Sequence, residues 1–162
     1  MAGSETYKGP DDSVCSHCGA SKRVTYDSQT GYEQVQSFHN KFDLPIGDID
    51  QLTHDSKVIN FRMNFLYEEL CELETALYIS DRVGAFDALL DLVYVAYGTA
   101  LFLGIDQQQW KAGMNAVHHA NMTKVRATSS SESKRNTSLD VVKPSGWVGP
   151  EATLEEILDG DK

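Results

Sequence analysis

At 162 residues the chain has the length of one domain with tails, enough for a single hydrophobic core. Twenty-four acidic against fourteen basic residues leave a formal net charge of −10, which argues against a nucleic-acid groove, because that needs a basic patch. No apolar run reaches the length of a membrane span without polar breaks, the first residues lack the pattern of a secretory signal, and three cysteines make no disulfide framework, so a reducing cytoplasm is the expected setting.

Residues 1–30 read as a flexible N-terminal extension, polar and Gly/Pro-containing at first. They carry Cys15-Ser16-His17-Cys18-Gly19 before a β-prone run, an arrangement like one half of a zinc ribbon. A structural zinc ion wants four ligands and no second Cys-x-x-Cys exists. His17, His39, His54 or a second copy of the chain would have to complete it; a free thiol pair and a redox pair are the alternatives. Gly31 to Phe42 is predicted helical, with Tyr32, Val35, Phe38 and Phe42 on its inner face, and Leu44-Pro45 ends it. Ile46 to Thr53 is expected to be a loop.

The next predicted helix, Asp55 to Ile79, places Met63, Leu66, Leu70, Leu73 and Leu77 at three- and four-residue steps, the pattern of one buried stripe. Within it Glu68, Glu69, Glu72 and Glu74 crowd four carboxylates into seven residues. Glu69 falls at the edge of the stripe, and Glu69 and Glu72, three apart, have neighbouring side chains. Phe61 and Phe65 project from the same flank. Arg62, about two turns before Glu69, is placed to meet a phosphate or to pair with a glutamate. An acidic helix can simply be solvated; the following segment argues otherwise.

Ser80 to Gly84 is a short connection, so the flanking helices should be antiparallel neighbours. Phe86 to Leu103 is apolar almost all round, which suits the middle of a bundle. Asp87 and Asp91, four apart, share a face with Tyr94 and Gly98. Buried aspartates must be paired, hydrogen-bonded or metal-bound, and no Lys or Arg occurs between Val83 and Ile105. A cation bridging this face to Glu69 and Glu72 would satisfy both helices, and oxygen-only ligands suit Mg²⁺ or Mn²⁺. Gly104 ends this helix and Asp106 caps the next, Gln107 to Val125, with Trp110, Met114, Val117, Ala120 and Asn121 towards the core. Asn121 and Lys124 share one face near its end, where a lysine can also merely compensate the helix dipole. Residues 126–162 form a tail: Ala127 to Asp140 is expected to be a mobile loop, Trp147 to dock the tail on the bundle or on another subunit, and Pro150 to open a short helix, Glu151 to Leu158.

The run Glu68-Glu69-x-x-Glu72, followed by an acidic pair ending in Asp91, resembles the all-α nucleotide pyrophosphohydrolases, the MazG, phosphoribosyl-ATP pyrophosphatase and dimeric dUTPase group. Their motif reads E-E-x-x-E, a spacer, then E-x-x-D. Phe38-His39, Asp87-Ala-Leu-x-Asp91-Leu-x-Tyr94-Val-x-Tyr97-Gly98-Thr99-Ala100 and Asn121-Met-Thr-Lys124 bring the chain nearest to phage-type MazG-like members, in which case the cytoplasm would be the host's. One position departs: the motif's glutamate three before Asp91 is Ala88 here, and the acid sits one residue earlier, at Asp87.

The resemblance implies an all-α, four-helix MazG-like bundle over residues 31–125, assembled as a homo-tetramer or homo-dimer. It implies hydrolysis of a nucleoside triphosphate at the α-phosphorus to a monophosphate and pyrophosphate. Two or more Mg²⁺ or Mn²⁺ ions would be held by Glu69, Glu72, Asp91 and Asp87, acidifying a water whose proton goes to Glu68 or Glu69. Phe38, Arg62, Phe65, Tyr94, Asn121 and Lys124 are the candidate substrate contacts. The base preference leans to (d)GTP, as in the phage diphosphatase MazZ; a dUTPase and a broad housecleaning enzyme are the alternatives. From another class, a non-catalytic helical interaction protein would leave the acidic helix solvated and bind through the Cys15–Cys18 end.

Overall fold

The computed structural model describes residues 29–47 and 56–160. The Cys15 and Cys18 pair, His17, His54 and most of the loop expected after Ile46 lie outside the described residues. The rest is all-α, with five helices and one short two-stranded ladder among the described residues.

Helix α1, Gly31–Lys41, starts on a capping box: Thr30 accepts from the Glu33 amide, and the Glu33 carboxylate accepts from the Thr30 amide. Its inward face is Tyr32, Val35 and His39, all buried. Phe38 and Phe42, expected inside, are 40% and 52% exposed. The three-then-four step from Tyr32 runs through Val35 to His39, which leaves Phe38 to look sideways along the bundle. The core lies where α1 meets the end of the helix Arg82–Phe102: Tyr32 and Val35 against Ala100 and Leu101, ringed by Tyr97, Ile105 and Trp110.

Helices α2, Ser56–Tyr78, and α3, Arg82–Phe102, form the principal contact of the fold. The connection is tighter than expected: α3 starts four residues before Phe86, because Asp81 caps it through the amides of Val83 and Gly84. The buried residues of α2 are Arg62 and Ala76, with Phe65, Leu66, Glu69 and Leu73 half-buried between them. The stripe read from the sequence is therefore rotated outward: Met63, Leu70 and Leu77 are exposed. The physical reason lies on α3, whose buried residues Ala88 and Gly98 are small and let α2 approach on its Arg62–Ala76 side. The expectation that α3 sits wholly inside a bundle does not hold within one chain either, and Asp87 and Asp91, expected to be buried, are exposed because they lie on its open side. Phe86, Leu89, Leu90 and Val93 are about half exposed or more. By length and composition alone, α3 would suffice to cross a membrane. It packs against both α1 and α2 and brings two carboxylates to α2.

Gly104, at φ +72°, turns the chain out of α3, with the Ile105 amide returning to the Ala100 carbonyl. Asp106 and Gln109 then make a second capping box on α4, Gln107–Met122. Met114, placed towards the core by the sequence, is 54% exposed. The loop expected over Ala127–Asp140 is closed at its base by a short ladder, Val125–Arg126 (β1) antiparallel to Val141–Val142 (β2), and within it Ser133 is buried, its hydroxyl donating to Asp140. Trp147 docks the tail on the bundle side, its indole N–H donating 3.0 Å to the Ala120 carbonyl. Helix α5, Glu151–Asp159, packs against α4.

Candidate active site

The α2–α3 hairpin is pinned at two places. Near the connection, Ala76 and Gly84 approach closely enough that a Cβ on Gly84 would lie 3.4 Å from that of Ala76. Towards the other end, the Arg62 guanidinium donates 2.7 Å to the Val95 carbonyl and 3.0 and 3.2 Å to the Thr99 hydroxyl. Between these pins lie Glu68, Glu69 and Glu72 on α2 and Asp87 and Asp91 on α3. An antiparallel pair brings these two acidic runs opposite each other by construction, since both sit between the same two contact points.

The consequence is concentrated on Glu69. Its Oε2 is buried and, among the described residues, is the one buried side-chain polar atom without a hydrogen-bond partner. Burial pushes its carboxyl above the ordinary value, and the charges of Asp91, Glu72, Glu68 and Asp87 push it further. All the acids singled out in the sequence, Glu74 apart, thus act on one atom group. An open groove of about 420 Å³ runs along the seam, lined by Glu68, Cys71, Glu72, Thr75, Asp81 and Asp87. Among the described residues no three His, Cys, Asp or Glu side chains are already gathered as a closed metal cluster. At the position where the motif departs, Ala88 is 2% exposed, whereas Asp87 beside it opens onto the groove.

The aromatic candidates meet as well. Phe38 stands 5.7 Å edge-on to Tyr94, one turn after Asp91, and 4.7 Å from Phe42, forming a partly exposed aromatic shelf beside the acids. Burial raises the Tyr94 hydroxyl above its usual value. Phe65 makes a T-shaped contact with Phe61 at 4.9 Å and flanks Arg62. Arg62 makes no ion pair with a glutamate among the described residues. It is 9% exposed, its guanidinium lies 5.1 Å from the Phe102 ring, and its hydrogen bonds go to Val95 and Thr99. His39 beside it is held below the usual imidazole range by its own burial first and then by the Arg62 charge.

Asn121 and Lys124 stand apart from this constellation. Asn121 is exposed on α4, and Lys124 has left the helix: Thr123 is the cap, and the Lys124 amide donates to the Asn121 carbonyl in the exit turn. The Lys124 ammonium lies 5.5 Å from the Trp147 ring. Sequence reading missed Thr99 as the anchor of Arg62, Phe42 as part of the shelf, and Cys71, Thr75 and Asp81 on the groove wall. Only the four-residue steps Glu68–Glu72 and Cys71–Thr75 on α2 could have signalled the last group.

Comparison with known families adds the chemistry. The profile of the phosphoribosyl-ATP pyrophosphohydrolase family matches residues 35–121, which spans the acids of both helices, the aromatic shelf and Asn121, and stops short of Lys124. No curated protein sequence matches the chain. With more than half its length under that profile, and with both acidic runs facing each other inside it, the chain belongs to the phosphoribosyl-ATP pyrophosphohydrolase family and is a nucleotide pyrophosphohydrolase.

Proposed function

We propose that the protein is a metal-dependent nucleoside triphosphate diphosphatase that converts a (d)NTP and water into a (d)NMP and pyrophosphate, with (d)GTP as the favoured substrate. The observation that carries this is the buried, unpartnered Oε2 of Glu69 among four further carboxylates. A carboxylate in that setting is disfavoured as a bare anion and becomes favourable once a hard cation sits between it and its neighbours. Glu69, Glu72, Asp87 and Asp91 fit such an ion in charge and chemistry, and would hold Mg²⁺ or Mn²⁺. An ion held there would supply charge neutralisation for the phosphates and a more acidic bound water.

The chain's own groups divide the remaining work. Glu68 lines the groove outside the ligand set and takes the proton of the water that attacks the α-phosphorus; pyrophosphate leaves with the electrons of the broken P–O bond. Phe38, Phe42 and Tyr94 offer stacking surface to a base, and a purine stacks over more of it than a pyrimidine. That is the support for the (d)GTP preference over the dUTPase alternative. Arg62 sets the helix spacing and orients the face from which Glu69 projects. The setting is a reducing cytoplasm.

The test is release of pyrophosphate from each common NTP and dNTP, and from phosphoribosyl-ATP, with Mg²⁺, with Mn²⁺ and with chelator. Metal-dependent release strongest for dGTP or GTP is expected. Release unaffected by chelator would overturn the metal-dependent reading, and a pyrimidine or phosphoribosyl-ATP preference would overturn the base assignment.

A further inference from the structure

Residues 124–143 build a second polar cavity that the hydrolytic reading does not use. The ladder sets Val125 opposite Val142, so Lys124 and Lys143, one residue beyond each, come to the same end of it. They line a cavity of about 480 Å³ together with Lys134, Arg135, Glu132 and Asp140. The two carboxylates there are already committed. Asp140 accepts from the Ser133 hydroxyl, the Arg135 guanidinium and the Val141 amide at 2.7–2.9 Å, and Glu132 accepts from the Thr128 hydroxyl and amide at 2.7 and 2.8 Å. Lys124, Lys134 and Lys143 have no ion-pair partner among the described residues. Two of them converge on one indole: the ammonium groups of Lys143 and Lys124 stand 4.2 and 5.5 Å from the Trp147 ring, which Ala120 anchors.

Four cationic side chains, Lys124, Lys134, Arg135 and Lys143, against the two carboxylates of Glu132 and Asp140 leave the cavity an excess of positive charge, and the repulsion among the ammonium groups is relieved by an anion between them. In a chain of net charge −10, such a cluster is a local reversal of the overall field. Lysine presents a compact point charge with three rotatable donors, which suits phosphate oxygens approached from several sides. We propose that this cavity is a binding site for a phosphate chain, either inorganic pyrophosphate or the polyphosphate end of a free nucleotide, held by Lys124, Lys134 and Lys143 with Arg135 at its edge. It shares no lining residue with the acidic groove and lies outside the family-matched span, so it stands whether or not the hydrolytic reading holds.

The test uses the full chain in chelator, so that no metal-bridged anion can form on the acidic face. Inorganic pyrophosphate is titrated at constant ionic strength and followed by calorimetry and tryptophan emission. Saturable binding at millimolar concentration or below is expected, with Trp147 emission changing as the ammonium groups shift from its ring. Lys134→Ala and Lys143→Ala should each weaken binding about tenfold or more, the value of one charge-assisted contact, and Glu69→Gln should leave it unchanged. Lys134 does not touch Trp147, so its variant reads the cavity without disturbing the docked tail. Competition by GTP or ATP would assign the site to a nucleotide's phosphates, and its absence to pyrophosphate. A response no larger than that to sodium chloride, unchanged affinity in both lysine variants, or binding of a short oligonucleotide that pyrophosphate does not displace would overturn the proposal.

Discussion

Replacing Glu69 with Gln should stabilise the metal-free protein while destroying its activity. The Glu69 Oε2 is buried without a partner, and burial together with Asp91, Glu72, Glu68 and Asp87 raises its proton affinity above the ordinary 4.5. A glutamine amide is neutral, and its N–H can donate to the neighbouring carboxylates. An unsatisfied buried polar group costs about 1–3 kcal/mol. The rest of this side chain is open to water, so screening places the gain at the lower end, about 1 kcal/mol. For a domain of this size that is roughly 2–4 °C in Tm.

The pH dependence has a definite sign. The folded carboxyl keeps its proton to higher pH than the unfolded one, so the native state binds more protons in the window above 4.5, and wild-type stability falls as pH rises through it. The advantage of E69Q is therefore absent below that window and complete above it. Circular-dichroism melts in chelator between about pH 4 and pH 8, at low and high salt, measure it, and salt should shrink the gap. Adding Mn²⁺ should reverse the order, because only the wild type gains full metal-binding energy. Pyrophosphate release should drop by at least about a hundredfold. An E69Q protein that melts below wild type in chelator, or by a margin independent of pH, would refute this account of the acidic seam.

Asp91→Asn should lower turnover by at least about a hundredfold with a near-normal helical signal, and Asp87→Ala should lower it too; wild-type rates for D87A would leave the ion to the other acids. Gly98→Ala adds a Cβ 2.9 Å from the Arg62 guanidinium and 3.2 Å from His39 Nε2, both buried, so a urea melt should show a loss of about 1–3 kcal/mol despite alanine's better helix propensity. His39 is depressed below 6.5, chiefly by burial, so the native state binds fewer protons and stability declines as pH falls through 6.5; His39→Gln should flatten that slope, which is below about 1.4 kcal/mol per pH unit for one proton. Lys124 sits beside Trp147 and not on the acidic groove, so Lys124→Ala should cost about 0.5–1 kcal/mol of stability and leave the kinetics unchanged; a raised KM with a lowered kcat would instead put it on substrate phosphate.

What the sequence determined by itself was local. Helical periodicity put Glu69 beside Glu72 and Asp91 beside Asp87, and the breaks at Gly104 and Asp106 were readable because capping and positive-φ turns depend on a few adjacent residues. The facing of the two acidic runs followed from a connection too short for anything but an antiparallel hairpin. The choice of contact face belonged to the tertiary structure. On α2 the leucine positions outscore the Arg62–Glu69–Ala76 side in hydrophobicity, yet the latter meets α3, because Ala88 and Gly98 admit close approach there and Val95 and Thr99 supply acceptors that Arg62 needs. No spacing rule links Arg62 to a hydroxyl 37 positions away. Lys124 likewise left its helix one residue after the Thr123 cap, and its neighbours, Trp147 and Lys143, were chosen by the pairing of two two-residue strands that carry no sequence signal of their own.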